Sequence, residues 1–137
     1  MLRGRGLRPL SGPERVRTGR CRCGAIRFEA RGRPNWVAYC HCESCRRATG
    51  APVAAYAGFP ATAVRFTDGP PTEFASSPGV SRGFCARCGS PVSFTGERWP
   101  GEVHLHLGCF DDGTDLVPDR EAFAEERLPW LHLRVGG

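Results

Sequence analysis

The chain contains no lysine among its 137 residues, so arginine supplies every basic side chain behind the formal net charge of +5. This absence excludes catalysis through a Schiff base on a lysine amine. Long apolar runs are also absent, because no segment approaches the roughly 20 apolar residues that cross a bilayer. The N-terminal region lacks the apolar stretch of a secretory signal as well. We therefore predict a cytoplasmic protein with no membrane partner.

The arginines are densest in residues 1–17, "MLRGRGLRPLSGPERVR". We predict that this segment is a flexible basic tail and that residues 18–137 form a single domain, since a chain of this length suffices for one modest core. The remaining basic charge is too dispersed to form a stripe for phosphate contacts, so nucleic acid is not a predicted partner. No pattern specifies an oligomeric state.

Glycine and proline interrupt the chain throughout, and the short segments between them alternate apolar and polar residues. In "EVHLHLG", Val103 and Leu105 fall on one face, while His104 and His106 fall on the other, which we expect to be solvated. Alternation with frequent turns predicts antiparallel strands. Besides "AIRFEA" and "EVHLHLG", the predicted strands are 36–39, 52–58, 64–67, 72–75, 80–84 and 91–94. Only "CESCRRATG" and "DREAFAEERL" are typical of helical turns, so the predicted fold is mainly β, with short antiparallel sheets.

Eight cysteines in a chain without a secretion signal indicate metal binding or catalysis rather than disulfides. Seven of them fall into three tight groups, each able to chelate. A C-x-x-C turn and a C-x-C pair can both bring two sulfurs to about 3.7 Å, the separation expected on a tetrahedral zinc. The groups are Cys21 and Cys23, then Cys40, Cys42 and Cys45, and finally Cys85 and Cys88.

Glycines distinguish the outer two groups from the middle one. Gly24 follows Cys23 and Gly89 follows Cys88. A glycine after the second ligand can adopt a positive φ and turn backbone N–H groups toward the thiolates. The shared pattern predicts that the two outer pairs form one closed, four-cysteine site. The middle group has three thiolates and no fourth ligand, which is typical of a catalytic zinc.

Two alternatives stay open on spacing alone. In the first alternative, a zinc ribbon, Cys42 and Cys45 would share one zinc with the cysteine pair of "FCARCG". Cys21, Cys23 and Cys40 would then remain outside that site. In the other alternative all seven cysteines are structural, and His41 or another side chain completes the second site.

The three cysteine motifs also resemble those of a known family. "GRCRCGAIRF", "CHCESCRRATG" and "FCARCG" are similar in order, spacing and flanking residues to the motifs of the glutathione-dependent formaldehyde-activating enzyme family, which also includes centromere protein V. The resemblance runs from about Thr18 to Leu131. It implies a β-tent fold, in which antiparallel sheets fold around zinc. It further implies a structural zinc on Cys21, Cys23, Cys85 and Cys88 and a second zinc on Cys40, Cys42 and Cys45.

The resemblance implies a zinc-dependent carbon–sulfur lyase that joins formaldehyde and a thiol such as glutathione into S-hydroxymethylglutathione, or releases them. A zinc with three thiolate ligands has an open position for a thiol and favours the thiolate form, which is the nucleophile. The alternative function is a non-catalytic, zinc-stabilised module that binds thiols or macromolecular partners, since the family includes centromere protein V.

Arginine side chains suit the two carboxylates of glutathione. Arg46 and Arg47 follow Cys45 directly, so they are the predicted substrate-binding residues.

Four other side chains have predicted packing roles. In extended backbone His41 points away from the metal, so we expect it to pack or to support a ligand from outside. Trp99 and Trp130 could border a groove, but core or edge packing is the prediction for both. The isolated Cys109 is predicted to be a small buried hydrophobe.

Overall fold

The computed structural model describes residues 15–136, which form ten β-strands, one α-helix and three 3₁₀ turns. The helix α1 spans Glu43–Thr49, within the segment predicted to turn helically. None of the helices in residues 15–136 has the length and apolar character needed to cross a membrane. The strands are β1 (Val16–Arg20), β2 (Arg27–Arg31), β3 (Trp36–Cys40), β4 (Ala54–Pro60), β5 (Val64–Phe66), β6 (Thr72–Ser77), β7 (Val80–Phe84), β8 (Pro91–Gly96), β9 (Glu102–His106) and β10 (Arg120–Ala122).

The strands form two sheets. The small sheet has the order β1-β2-β5, and the large sheet has the order β10-β3-β4-β9-β8-β7-β6. Neighbouring strands are antiparallel except β10 and β3, which are parallel. The prediction of a mainly β fold with short antiparallel sheets is confirmed.

The main core lies between the small sheet and one face of the large sheet. Phe28 and Ala30 of β2 contribute from the small sheet, and Ala57, Phe59 and Leu105 contribute from β4 and β9. Burying a side chain the size of Phe28, Phe59 or Leu105 stabilises the fold by about 1.5–3 kcal/mol. One face of the large sheet is therefore covered by this core, and the opposite face lies outside it.

That opposite face carries a row of side chains across five strands. Arg82 pairs with Phe94, Phe94 with His104, His104 with Gly58, and Gly58 with Trp36. Directly paired residues project from the same face of a sheet, so the row is a continuous surface. Gly58 is required within it, because a Cβ there would lie 2.3 Å from an indole carbon of Trp36. The indole can therefore lie across Gly58 and approach His104.

The first strand was missed by the sequence analysis, which placed residues 1–17 in a tail. β1 begins at Val16, and residues 1–14 of the predicted tail lie outside the described residues. The buried positions of β1 are Arg17 and Gly19, so the apolar alternation that signals a strand is absent. Arg17 is tolerated there because its guanidinium forms an ion pair of 2.6 Å with Asp115.

The prediction of a helical turn in "DREAFAEERL" is largely wrong. Its first part is β10, which pairs with the edge of β3, and only Ala124–Glu126 forms a 3₁₀ turn. Tertiary pairing thus overrides the helix propensity of alanine and glutamate. The packing predicted for Trp130 is also wrong, because this side chain is 64% exposed.

Candidate metal centres and the adjoining pocket

The two outer cysteine pairs meet, and we call them the four-cysteine cluster. Cys21 and Cys23 lie in the turn after β1, and Cys85 and Cys88 lie in the turn between β7 and β8. The four Sγ atoms lie within 4.8 Å of one another. Cys23 Sγ is 3.7 Å from Cys21 Sγ and 3.8 Å from Cys85 Sγ, close to the separation expected on zinc. The zinc-ribbon alternative is therefore wrong.

Two tight turns bring each outer pair into this geometry. Gly24 has a φ of 86° and Gly89 a φ of 82°, which confirms the positive φ expected after the second cysteine. Their N–H groups donate to the carbonyl oxygens of Cys21 and Cys85, at 3.2 and 2.7 Å. Backbone N–H groups of the first turn also face its sulfurs, and the N–H of Ile26 donates to Cys21 Sγ at 3.3 Å.

The middle group forms a second cluster, which we call the three-cysteine cluster. Cys40 ends β3, Cys42 caps the start of α1 and Cys45 lies in its first turn. Cys40 Sγ lies 3.5 Å from both other sulfurs. The Cys45 N–H donates to Cys42 Sγ at 3.3 Å, so the start of the helix itself fixes this pair. Among residues 15–136, no further histidine, cysteine or carboxylate joins the cluster.

His41 does not complete the three-cysteine cluster. Its side chain is fully buried and points away from the three sulfurs, toward β10, where Nε2 lies 2.7 Å from Glu121 Oε1. The predicted packing role of His41 is confirmed. All eight cysteines are free thiols, as the sequence analysis expected.

A pocket of about 360 Å³ lies against the outer face of the large sheet, and the three-cysteine cluster lines it. The row from Arg82 to Trp36 supplies part of its wall, since four of its five members line the pocket. Trp99 lines it too, and its ring packs edge-on against Phe94 with centroids 5.7 Å apart. The predicted packing of Trp99 is thus confirmed, at the border of a pocket. The ionisable side chains of its lining include Cys45, Tyr56, Arg82, Arg98, Arg120 and His104.

Cys45 is the most strongly stabilised thiolate of its cluster. Its sulfur lies 3.3 Å from the Tyr56 hydroxyl and 3.8 Å from Nη2 of Arg82. Hydrogen bonds from Cys40, Tyr56 and Arg82 outweigh burial and lower the pKa of Cys45 to about 5. Burial raises the pKa of Tyr56, so its hydroxyl stays protonated and can donate to the sulfur.

The prediction that His104 and His106 face solvent is wrong. Both histidines lie on the face of β9 opposite Leu105, as the alternation indicated, but that face is covered by the pocket side chains. His104 is only 4% exposed, and its Nε2 lies 2.9 Å from Glu102 Oε1. His106 is half-buried against Tyr56, with ring centroids 4.5 Å apart. Burial and nearby Arg82 lower the pKa of His106 to about 4.

The structure does not bring Arg46 and Arg47 to the pocket. Arg46 donates from Nη1 to two backbone carbonyls, those of His41 and Glu126, at 2.6 and 2.8 Å. Arg47 lies on the exposed side of α1 and pairs with Glu43 at 2.9 Å.

Three other arginines line the pocket: Arg82, Arg98 and Arg120. They lie on β7, after β8 and on β10, and all three are distant in sequence from the three-cysteine group, so local spacing gave no signal that they approach it.

Cys109 takes part in neither cluster. It packs half-buried against the main core, and its Sγ lies 3.3 Å from the Pro91 carbonyl oxygen. Cys109 thus packs as a small hydrophobic side chain, as predicted, but it is only partly buried.

Both clusters have the donors and spacing that zinc prefers. Free thiols that converge without forming disulfides are typical of thiolate metal sites, and a set of four closes a tetrahedron while a set of three leaves one position. The fold and sites thus define a class: a small β protein with two cysteine clusters that could each hold a metal ion, one of which adjoins a pocket.

Comparison with known proteins is consistent with that class. The glutathione-dependent formaldehyde-activating enzyme family matches residues 16–126, so the chain belongs to this family. A protein of Halomonas elongata named "Putative glutathione-dependent formaldehyde-activating enzyme" is 28% identical over 128 residues, which cover 84% of this chain and 79% of the relative.

A solved structure shares the fold. The crystal structure of a Rhodobacter sphaeroides protein superposes with a TM-score of 0.61 at 22% identity, over 77% of this chain and 99% of the other.

Proposed function

We propose that this protein is a zinc-dependent carbon–sulfur lyase that joins formaldehyde and a thiol such as glutathione, and that cleaves the S-hydroxymethyl adduct in the reverse direction. The observation that carries the proposal is the position of Cys40, Cys42 and Cys45 on the wall of a pocket large enough for a small molecule. Membership of the family supports glutathione and formaldehyde as the substrate pair.

The chemistry needs little beyond a correctly held thiolate. In the forming direction the thiolate sulfur attacks the formaldehyde carbon, the carbon–oxygen π bond breaks, and the oxygen takes up a proton. A zinc on the three cysteines would keep a thiol substrate ionised near neutral pH. The role of the chain is then to bind the thiol, orient it and exclude water.

Within the pocket, Arg98 has the donors to hold a substrate carboxylate. Its guanidinium lies 5.3 Å from the Trp99 ring centroid and forms no ion pair within the described part of the chain. A planar guanidinium suits a carboxylate. Arg82, in contrast, is occupied by Tyr56 and Ser44, so we propose that it fixes the pocket wall rather than the substrate.

The proposal is tested by NMR exchange spectroscopy on a mixture of glutathione and formaldehyde. Formaldehyde and thiols combine without a catalyst, so the measured quantity is the exchange rate above the spontaneous value. We expect the zinc-loaded protein to raise this rate. Cys45→Ser should return it to the spontaneous value, while Cys109→Ser, outside both clusters, should behave as the wild type.

The same experiment separates the two candidate functions. If the wild-type protein binds glutathione but leaves the exchange rate at its spontaneous value, the lyase proposal fails and a thiol-binding module remains.

A further inference from the structure

His104 is a buried ionisable side chain in the pocket wall that the reaction described above does not use. Its ring is surrounded by aromatic rings, with centroids 4.5 Å from Trp36, 5.3 Å from Phe94, 5.2 Å from Trp99 and 6.1 Å from Tyr56. A phenylalanine would fill such a site without the cost of burying a polar ring. Packing alone therefore does not explain why an imidazole occupies this position.

The ring is held in one orientation by Glu102, two residues earlier on β9. Nε2 of His104 lies 2.9 Å from Oε1, and the carboxylate also accepts from Asn35 Nδ2 at 2.9 Å and from Trp36 Nε1 at 3.2 Å. Although burial opposes ionisation, these hydrogen bonds lower the pKa of Glu102. An ionised carboxylate accepts only, so Nε2 carries the proton and Nδ1 carries the lone pair.

That lone pair is available at the pocket wall. Nδ1 of His104 has no hydrogen-bond partner within residues 15–136, and it is not among their fully buried polar atoms that lack a partner. The ring lines the pocket that Cys40, Cys42 and Cys45 also line. A basic nitrogen and the three-cysteine cluster thus face one cavity.

We propose that His104, oriented by Glu102, is the proton-transfer residue of this pocket. The inference rests on the lyase function proposed above. In cleavage, Nδ1 takes the proton of the adduct hydroxyl group as the carbon–oxygen double bond forms, the carbon–sulfur bond breaks and its electron pair goes to sulfur. In the forming direction the protonated ring returns that proton to the oxygen.

The surroundings of the ring suit both halves of this cycle. Burial lowers the pKa of His104, so the ring is neutral at neutral pH and Nδ1 keeps the lone pair that accepts a proton. The hydrogen bond to Glu102 on the same strand stabilises the charged form once a proton has been accepted. Other ionisable groups on the elements packed here are Tyr56 of β4, Arg82 of β7, which stacks over Phe94, and Arg98, which stacks over Trp99.

The decisive variant is His104→Phe, which keeps a ring in the aromatic site but cannot carry a proton. With zinc loaded, we expect zinc content and glutathione affinity to stay within about two-fold of the wild type, while the excess exchange rate falls by about 10²–10⁴-fold. The control is His106→Phe on the same face of β9, for which we expect a change below about two-fold.

Glu102→Gln provides a readout that a structural role would not move. Because the carboxylate favours the charged ring, its loss should shift the acidic limb of the pH–rate profile to lower pH. Nitrogen NMR of the His104 ring should show a protonated Nε2 and an unprotonated Nδ1 in the wild type at neutral pH, independently of any turnover. If His104→Phe is poorly folded, the pH–rate profile of Glu102→Gln and the NMR of the wild-type ring test whether His104 transfers the proton.

The outcomes distinguish this inference from the function on which it rests. A wild-type exchange rate in His104→Phe, or an unshifted pH profile in Glu102→Gln, overturns the role of His104 alone. A wild-type protein that does not exceed the spontaneous rate overturns the lyase function, and the role of His104 with it.

Discussion

The two cysteine clusters use the same ligand atom at nearly the same sulfur spacing, yet they join very different parts of the chain. The four-cysteine cluster connects turns that lie 62 residues apart in sequence at Cys23 and Cys85. The three-cysteine cluster is contained within six consecutive residues at the junction of β3 and α1. A metal in the first closes a long loop, whereas a metal in the second constrains only a short segment. The first is therefore suited to stabilising the fold and the second to exposing a reactive position.

The largest effect should come from breaking one cluster at a time. Cys85→Ser should abolish cooperative unfolding, because a structural zinc site contributes about 10 kcal/mol or more of apparent binding free energy to the folded state. Cys42→Ser should retain a cooperative transition and lose only the second metal. Thermal unfolding followed by circular dichroism, with metal content measured in parallel, tests both. Equal loss of cooperativity in the two variants would contradict the comparison.

A second substitution should damage the pocket while sparing the four-cysteine cluster. Gly58→Ala places a Cβ 2.3 Å from the Trp36 indole, so we expect a destabilisation of about 1–3 kcal/mol and weaker binding of glutathione. Denaturant unfolding and calorimetric titration measure the two effects. Gly108→Ala is the control, since no atom of the described residues lies within 4 Å of its added Cβ. An unchanged glutathione affinity in Gly58→Ala would show that the Trp36 wall is not used.

The pH dependence of stability should reveal His106, which lies on the pocket face of β9. Its folded pKa of about 4 is below the usual 6.5, so its contribution is present above pH 6.5 and is lost as the pH falls toward 4. This group alone should reduce the free energy of unfolding by about 1–2 kcal/mol between pH 7 and pH 5. His106→Phe should remove that part of the slope. An unchanged slope would mean that the ring is not buried in its neutral form.

The smallest effects concern the two arginines beside the three-cysteine cluster. Arg46→Ala removes hydrogen bonds to two carbonyls and should cost about 1–2 kcal/mol of stability. Arg47→Ala removes an exposed pair with Glu43 and should cost less than about 0.5 kcal/mol. Chemical denaturation and the Michaelis constant for glutathione test both variants. We expect neither variant to change substrate binding as strongly as Arg98→Ala, and a larger effect from Arg47 would restore the role that sequence adjacency suggested for it.

The sequence analysis succeeded where structure follows from local spacing. Eight of the ten described strands were predicted, because alternation with Gly and Pro turns is a local signal. The exceptions were β1, whose buried positions are an arginine and a glycine, and β10, which exists only because the edge of β3 is available to pair with it. The pairing partner of β10 is distant in sequence, and so is Asp115, which forms the ion pair with the buried Arg17 of β1.

The sequence by itself determined the three local cysteine groups, because C-x-C and C-x-x-C spacing brings neighbouring sulfurs together and a glycine follows where the turn needs a positive φ. The tertiary structure decided which groups combine, since the two outer pairs meet across 62 residues of sequence. Only the tertiary structure decided what surrounds the three-cysteine cluster. The sheet register places Arg82, Phe94 and His104 side by side, although they come from three different strands. Alternation indicated that His104 and Leu105 face opposite ways, but which of those faces is covered depends on packing between sheets, and no local pattern encodes it.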